Sequence, residues 1–221
     1  MPSERALILD FGGVIARTMY ETHDLTERAL GLPPGTLTWR GPFDPDNDAL
    51  WRTRQAGKIT RYTYWNERAR EVGALVGENW TEFAQFVRAA RGTNPATIVR
   101  PEFHTAMEKA RSTGAKLAIL ANGFDILYGA DILEKLPFLS VFDVIVDAKF
   151  TEIQKPDPRA YQIVVDALKV PARHCIFIDD QLPNIDGAAA LGMKTIHFDV
   201  TRPQASYARA IDLLIPERTA P

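Results

Sequence analysis

Five short apolar runs recur along the chain, and most of the stretches between them have helical periodicity. The first run, Ala6–Asp10, stops at an acid and is followed by Phe11, Gly12 and Gly13. A continuous run of about four to eight apolar residues that ends at glycine or an acid is typical of a parallel strand buried on both faces. The later runs of the same construction are Lys116–Ala121, Asp143–Val146, Cys175–Asp179 and Thr195–Phe198.

Three segments that precede or separate the later runs predict helices. Pro101–Arg111 opens with proline, which suits the first turn of a helix, and Gly114 follows it as a stop signal. Pro158–Leu168 and Asn184–Leu191 have the same apolar periodicity. Strands that alternate with helices form an open parallel sheet with right-handed crossovers, so we predict an α/β fold.

Residues 17–95 have a different pattern, with helical periodicity and no run that predicts a buried strand. Glycine and proline residues between positions 31 and 45 separate the first two of its predicted helices. The predicted helices are Glu21–Leu30, Asp46–Ala56, Thr60–Val76 and Trp80–Arg91. We therefore predict an α/β core domain of residues 1–16 and 96–221, with an α-helical domain of residues 17–95 inserted into it.

Composition excludes several classes of protein. Hydrophobic residues make up 46% and charged residues 24% of the 221 positions, which is typical of a globular protein and not of a disordered one. The one cysteine, Cys175, excludes an internal disulfide framework. Residues 1–5 are polar, and no apolar run reaches the roughly 18 residues of a membrane helix. We expect a cytoplasmic protein without a membrane partner.

The net charge of −2 argues against a nucleic-acid partner, because a nucleic-acid surface needs an excess of basic residues. No sequence feature indicates the oligomeric state.

Acidic residues stand where predicted strands end. Asp10 ends the first strand, and Asp179 and Asp180 end the fourth. Ligands of open parallel sheets gather at the carboxyl ends of the strands, so these acids are expected to converge. Three converging carboxylates repel one another unless a cation lies among them, and oxygen ligands favour Mg²⁺.

Three further residues are expected at the same edge of the sheet. Asn122 and Gly123 follow the second strand, and Lys155 lies in a loop after the third. A lysine near the acids offsets the charge of an anionic substrate. We therefore predict that Asn122, Gly123 and Lys155 bind substrate.

Four segments that contain these residues resemble the four motifs of the haloacid dehalogenase superfamily, and they occur along the chain in the order of the family. The matching segments are Asp10–Val14, Leu120–Gly123, Lys155–Pro158 with Tyr161 beyond it, and Phe177–Asp180 with Asn184, Ala188 and Gly192. The resemblance spans nearly the whole chain and implies a Rossmann-like open parallel sheet core. It also implies that residues 17–95 are the helical cap found between the first two motifs in the subgroup with phosphatases and L-2-haloacid dehalogenases.

The resemblance implies a Mg²⁺-dependent hydrolase that acts on a small phosphorylated metabolite. Asp10 is then the nucleophile, and it forms an aspartyl-phosphate that water hydrolyses. Mg²⁺ is held by Asp10, by the backbone carbonyl of Gly12 and by Asp180, with Asp179 nearby. Lys155 has a catalytic role, since it stabilises the equatorial phosphoryl oxygens together with the metal.

The chain departs from the family's phosphatases at two positions. They usually carry a second aspartate two residues after the nucleophile, which protonates the leaving oxygen and later activates water, and Gly12 stands there. A positioned acid–base group contributes about 10²–10⁴-fold to the rate. Ala121 stands where the family usually has serine or threonine bonded to a phosphate oxygen. That loss is on the order of 1 kcal/mol, and the amide of Asn122 can still donate.

Two alternatives remain open at the level of sequence. A 2-haloacid dehalogenase needs no proton at Gly12, because halide leaves as an anion. Those enzymes use no metal, however, and their fourth motif lacks the adjacent pair Asp179 and Asp180. The other alternative is a catalytically impaired member of the family, marked by Gly12 and Ala121, that binds a phosphorylated ligand or a protein partner.

Overall fold

A parallel sheet is the centre of the larger of two structural units in the computed structural model, which describes residues 5–91, 95–123 and 135–215. Its strands are β1 (Ala6–Leu9), β2 (Lys116–Ala121), β3 (Val144–Asp147), β4 (Cys175–Asp179) and β5 (Lys194–His197). They pair in the order β3-β2-β1-β4-β5, and every pair is parallel. All residues of β1 and β4 are buried, as expected for strands covered on both faces. The predicted α/β fold is confirmed.

The α-helices lie close to the positions that periodicity predicted. Those that the structure describes are α1 (His23–Leu30), α2 (Ala49–Gln55), α3 (Arg61–Leu75), α4 (Phe83–Arg91), α5 (Pro101–Ser112), α6 (Ala148–Thr151), α7 (Pro158–Leu168), α8 (Leu182–Ala190) and α9 (Pro203–Leu214). Two were not predicted. α6 is a single turn, which is too short for a periodic pattern, and α9 follows the last predicted strand.

The described chain divides into two compact units. One contains residues 5–17, 99–123 and 136–215, and the other contains residues 18–91, 95–98 and 135. The predicted domain boundaries at 16/17 and 95/96 lie near the points where the chain passes between these units, and they stay a prediction. In the first unit, α7 packs against β2 and β3, and α8 packs against β4 and β5.

The second unit is helical and has an aromatic core of its own. Its tryptophans Trp39, Trp65 and Trp80 are buried, and Tyr20 meets Trp39 edge to face with ring centroids 5.7 Å apart. Buried Asp48 caps α2 and accepts a hydrogen bond of 2.6 Å from the buried guanidinium of Arg68. This pair links the N-terminal cap of α2 to α3, which carries Arg68.

Among the described residues, none of the helices has both the length and the apolar character needed to cross a bilayer. Residues 1–4, on which the expectation of no secretion signal partly depends, lie outside the described residues.

Candidate active site

The candidate site lies where the strand order reverses direction. From β1 the chain passes outward to β2 and β3, and then returns to β4 on the other side of β1. Leu9 of β1 is in register with Ile178 of β4, so Asp10 and Asp179 follow side by side. The backbone N–H of Asp10 donates to the Ile178 carbonyl over 2.9 Å, which extends this pairing. Such a reversal leaves a crevice at the carboxyl ends of the strands, where ligands bind.

Lys155 joins the ends of β1 and β4. Its ammonium Nζ lies 2.8 Å from Oδ1 of Asp10 and 2.7 Å from Oδ2 of Asp179, and the Lys155 side chain is 1% exposed. The loop that carries Lys155 is held by Asn122, whose side-chain Nδ2 donates to the Lys155 carbonyl and whose Oδ1 accepts from the Lys155 N–H. A lysine far from β1 in sequence is thereby fixed beside Asp10.

Asp179 is buried and accepts hydrogen bonds from several directions. Besides Lys155, it accepts from the Asn184 side chain over 2.9 Å and from the Gln181 backbone N–H over 2.8 Å. Neighbouring Asp180 accepts a bond of 2.6 Å from the Gln181 side chain. One carboxylate oxygen each of Asp10, Asp179 and Asp180 lies within 4.8 Å of the others, so the predicted convergence of the three acids is present.

Burial and neighbouring charges change the proton affinity of Asp10 and Lys155. Burial raises the pKa of Asp10 to about 7; Lys155 opposes this rise, while Asp179 and Asp180 add to it. Burial lowers the pKa of Lys155, but the charges of Asp10 and Asp179 outweigh burial and raise it. A cation placed among the carboxylates favours the ionised form of Asp10, which is the form that a nucleophile requires.

The loop from Phe11 to Ala16 brings its backbone against the acids. Gly13 has a positive φ of +88°, and a Cβ at this position would lie 2.7 Å from Cγ of Asp180. The carboxyl group of Asp180 therefore packs directly against the Gly13 backbone, which only glycine permits. Gly12 lies outside the left-handed region, and a Cβ there would have no described atom within 4 Å.

Hydrogen bonds of this loop leave one carbonyl available. The carbonyls of Phe11 and Ala16 accept from backbone N–H groups within the loop, and those of Gly13, Val14 and Ile15 accept from residues elsewhere in the same unit. Within the described part of the chain, no donor reaches the Gly12 carbonyl. Gly12 is partly exposed. Its carbonyl is the backbone oxygen that the family resemblance implies as a metal ligand.

The predicted substrate-binding residues after β2 have structural bonds of their own. The Asn122 side chain is paired with the Lys155 backbone, and the Gly123 N–H donates to the buried carboxylate of Asp147 over 2.9 Å. The described contacts therefore assign Asn122 to the positioning of Lys155. Substrate binding by Asn122 and Gly123 stays a prediction, as do the catalytic and metal-binding roles of the other site residues.

Sequence reasoning did not include several residues that hold this site together. Arg100 and Tyr207 bond to the loop after β1, and Gln181 bonds to Asp180. The sequence marks Arg100 only as the residue before the proline that starts α5. The sequence marks Tyr207 only as part of the apolar face of α9. Neither feature indicates the carbonyl to which the side chain donates.

Comparison with known proteins decides the family. A family profile described as haloacid dehalogenase-like hydrolase matches residues 4–192. The chain belongs to this family. The match includes every predicted site residue from Asp10 to Asp180, so the resemblance drawn from the four motifs is confirmed.

Two curated relatives have different activities. A phosphatase of Mycobacterium tuberculosis is 32% identical over 99 residues, which cover 45% of this chain and 46% of the relative. An (S)-2-haloacid dehalogenase of Burkholderia cepacia is also 32% identical over 99 residues, which cover 45% of this chain and 42% of the relative. The aligned part is less than half of either relative.

A solved structure from the same family has a similar fold. It is a HAD family enzyme of Bacteroides thetaiotaomicron, in a variant whose complex contains magnesium and inorganic phosphate. The TM-score is 0.51 at 16% sequence identity, and the alignment covers 89% of this chain and 94% of that one. At this identity the likeness establishes the fold alone.

Proposed function

We propose that this hydrolase binds Mg²⁺ and releases phosphate from a small phosphorylated metabolite through an aspartyl-phosphate on Asp10. The observation that carries the proposal is the grouping of Asp10, Asp179 and Asp180 within 4.8 Å around the end of β1, with Lys155 2.8 Å from Asp10. Such a site combines a carboxylate nucleophile with positive charge for a phosphoryl group.

The donor set fits a magnesium ion. Asp10, Asp180 and the Gly12 carbonyl offer oxygen atoms, and no described donor occupies the Gly12 carbonyl. Mg²⁺ prefers oxygen ligands and is commonly bound by one or two carboxylates together with substrate phosphate and water. We assign Asp10, Gly12 and Asp180 as its ligands, with Asp179 held nearby by Lys155 and Asn184. When bound, the ion supplies positive charge that neutralises the phosphoryl oxygens.

The chain's own residues account for two chemical steps. A carboxylate oxygen of Asp10 attacks phosphorus, an oxygen–phosphorus bond forms, and the bond from phosphorus to the leaving oxygen breaks with its electron pair. Lys155 orients Asp10 and holds positive charge beside it. Water then attacks phosphorus, the phosphorus–oxygen bond to Asp10 breaks with its electron pair returning to the carboxylate, and phosphate leaves while a proton of the water passes to solvent. Because Gly12 has no acidic side chain, the leaving oxygen takes its proton from elsewhere, and a leaving group that departs as a stable anion is favoured.

A phosphate-release assay with matched variants tests this proposal. Wild type, Asp10→Asn and Asp212→Asn are assayed against a panel of phosphomonoesters with and without Mg²⁺. Asp212 is an exposed aspartate of the same unit and serves as the control. We expect Mg²⁺-dependent release by the wild type and the control, and a loss on the order of 10³-fold or more in Asp10→Asn. Equal activity of Asp10→Asn and wild type, or no release from any substrate, contradicts the proposal.

Beryllofluoride, which mimics an aspartyl-phosphate, separates an inactive enzyme from a binding protein. Mg²⁺-dependent thermal stabilisation by beryllofluoride without turnover favours a member of the family that binds a phosphorylated ligand. No stabilisation means that Asp10 and its neighbours do not form a phosphate-mimic site.

Carbon–halogen hydrolysis is the second candidate. It is supported by the 32% identity to the haloacid dehalogenase and by Gly12, since halide leaves without a proton. Chloride release from 2-chloropropionate in the presence of EDTA favours this candidate over the phosphatase. The cluster of Asp10, Asp179 and Asp180 argues for the phosphatase, because three carboxylates within 4.8 Å carry more negative charge than Lys155 alone offsets.

A further inference from the structure

Two buried side chains from distant parts of the sequence bond to the loop that follows β1. Arg100 is 1% exposed, and its Nε and Nη2 donate to the Gly13 carbonyl over 3.1 and 2.9 Å. Its backbone N–H also donates to the Ile15 carbonyl over 2.9 Å. The hydroxyl of Tyr207, itself 3% exposed, donates to the Val14 carbonyl over 2.7 Å.

We propose that Arg100 and Tyr207 are positioning residues for the cation site, which they support by fixing the peptide groups on the far side of Gly12. This inference rests on the proposed function, because it concerns the ion assigned to Asp10, Gly12 and Asp180.

The loop after β1 contains two consecutive glycines, Gly12 and Gly13. Glycine has the widest choice of backbone conformations, so Gly12 and Gly13 by themselves do not determine where the Gly12 carbonyl points. Hydrogen bonds to the next three carbonyls remove that freedom. Since the Gly12 carbonyl is left without a described donor, the same bonds leave it available to a cation.

The position of Asp180 depends on the same anchors. Its carboxyl group packs against Gly13, so a shift of the Gly13 peptide moves the surface on which Asp180 lies. Two of the assigned ligands, the Gly12 carbonyl and Asp180, therefore depend on the bonds that Arg100 makes.

Arg100 and Tyr207 are held by a shared neighbour. The Arg100 guanidinium lies over the Phe198 ring, 5.4 Å from its centroid, and the Tyr207 ring meets the same ring edge to face at 5.0 Å. The helices α5 and α9 that carry the two residues pack against each other. This arrangement is rigid support of the kind that fixes the ligands of metal sites.

Magnesium affinity tests the inference in the intact 221-residue chain. Mg²⁺ binding is measured by isothermal titration calorimetry for wild type, Tyr207→Phe, Arg100→Lys and Arg100→Met. The controls are Tyr64→Phe and Arg68→Met, which remove a buried tyrosine hydroxyl and a buried guanidinium from the helical unit. They match the loss of buried bonds without touching the loop.

We expect the dissociation constant for Mg²⁺ to rise about 10- to 100-fold in Arg100→Met, as is usual when a group supporting a metal ligand is lost. Arg100→Lys keeps the charge and one donor, so we expect a smaller rise, and Tyr207→Phe should also weaken binding. The two controls should bind Mg²⁺ as the wild type does even where their melting temperatures fall.

The outcomes separate this inference from the proposed function. If the wild type binds Mg²⁺ and both Tyr207→Phe and Arg100→Lys bind it equally well, the positioning role is wrong and the proposed function stands. If the wild type binds no Mg²⁺, the proposed function fails and the inference fails with it. Should Arg100→Met not fold, Tyr207→Phe decides, because it removes one hydroxyl and keeps the ring.

Discussion

We expect alanine to have opposite effects on stability at two adjacent positions, Gly12 and Gly13. A Cβ at Gly12 would meet no described atom within 4 Å, and the residue lies outside the left-handed region. Replacing glycine with alanine at such a position reduces the entropy of the unfolded chain. The expected gain is roughly 0.4–1 kcal/mol in the free energy of unfolding.

At Gly13 the same methyl group is costly for two reasons. The φ of +88° lies in the left-handed region, where a side chain costs about 1–2 kcal/mol. The added Cβ would also lie 2.7 Å from Cγ and 2.8 Å from Oδ2 of Asp180, so the carboxyl group must move. Overpacking of this kind typically costs about 1–3 kcal/mol. The two costs together amount to on the order of 3 kcal/mol for Gly13→Ala.

Thermal melts and magnesium titrations of the two variants measure this difference. For a chain of this size, 3 kcal/mol corresponds to a fall of roughly 6–12 °C in melting temperature for Gly13→Ala, against a small rise for Gly12→Ala. Gly13→Ala should also bind Mg²⁺ more weakly, because Asp180 is displaced. If Gly13→Ala is as stable as Gly12→Ala and binds Mg²⁺ like the wild type, the contact between Gly13 and Asp180 does not restrict position 13 to glycine.

Three more outcomes are expected. Gly12→Asp should raise kcat up to about 10²-fold for alkyl phosphates, because their leaving oxygen needs a proton. It should change the hydrolysis of p-nitrophenyl phosphate little. A soluble, Mg²⁺-binding variant with unchanged rates on both substrates contradicts this prediction. Lys155→Met leaves the buried carboxylate of Asp179 and the partly buried one of Asp10 without their shared ammonium. Urea unfolding should therefore show a loss of about 3 kcal/mol at pH 8 and less at pH 5, where protons replace the lysine; equal losses argue against the charge effect. Burial and, to a smaller extent, the charge of Arg40 lower the pKa of His23 from 6.5 to about 4. Between these two pH values the unfolded chain binds more protons than the folded chain. The free energy of unfolding therefore falls as pH drops through that window, by up to about 3 kcal/mol. Thermal melts at pH 7.5 and pH 5 should therefore differ less in His23→Leu than in wild type or in a variant of the exposed His104, and an unchanged difference contradicts the assignment.

Local patterns in the sequence determined the elements and part of the site. The apolar runs that end at Asp10 and Asp179 predicted buried parallel strands, and the carboxyl ends of such strands share one edge of the sheet. The meeting of these acids with Asp180 was therefore predictable from strand ends alone. The helix Pro158–Leu168 was also predicted at its observed bounds, because a proline start and a clear apolar face are local signals.

The groups that support the site are brought together by tertiary packing. Arg100 and Gly13 are 87 residues apart, and Tyr207 and Val14 are 193 apart, so no local pattern relates them. The structure also showed that the Asn122 side chain bonds to the backbone that carries Lys155. Periodicity and composition describe how a segment divides between core and solvent, whereas a hydrogen bond to one particular carbonyl depends on how helices such as α5 and α9 pack after the sheet has formed.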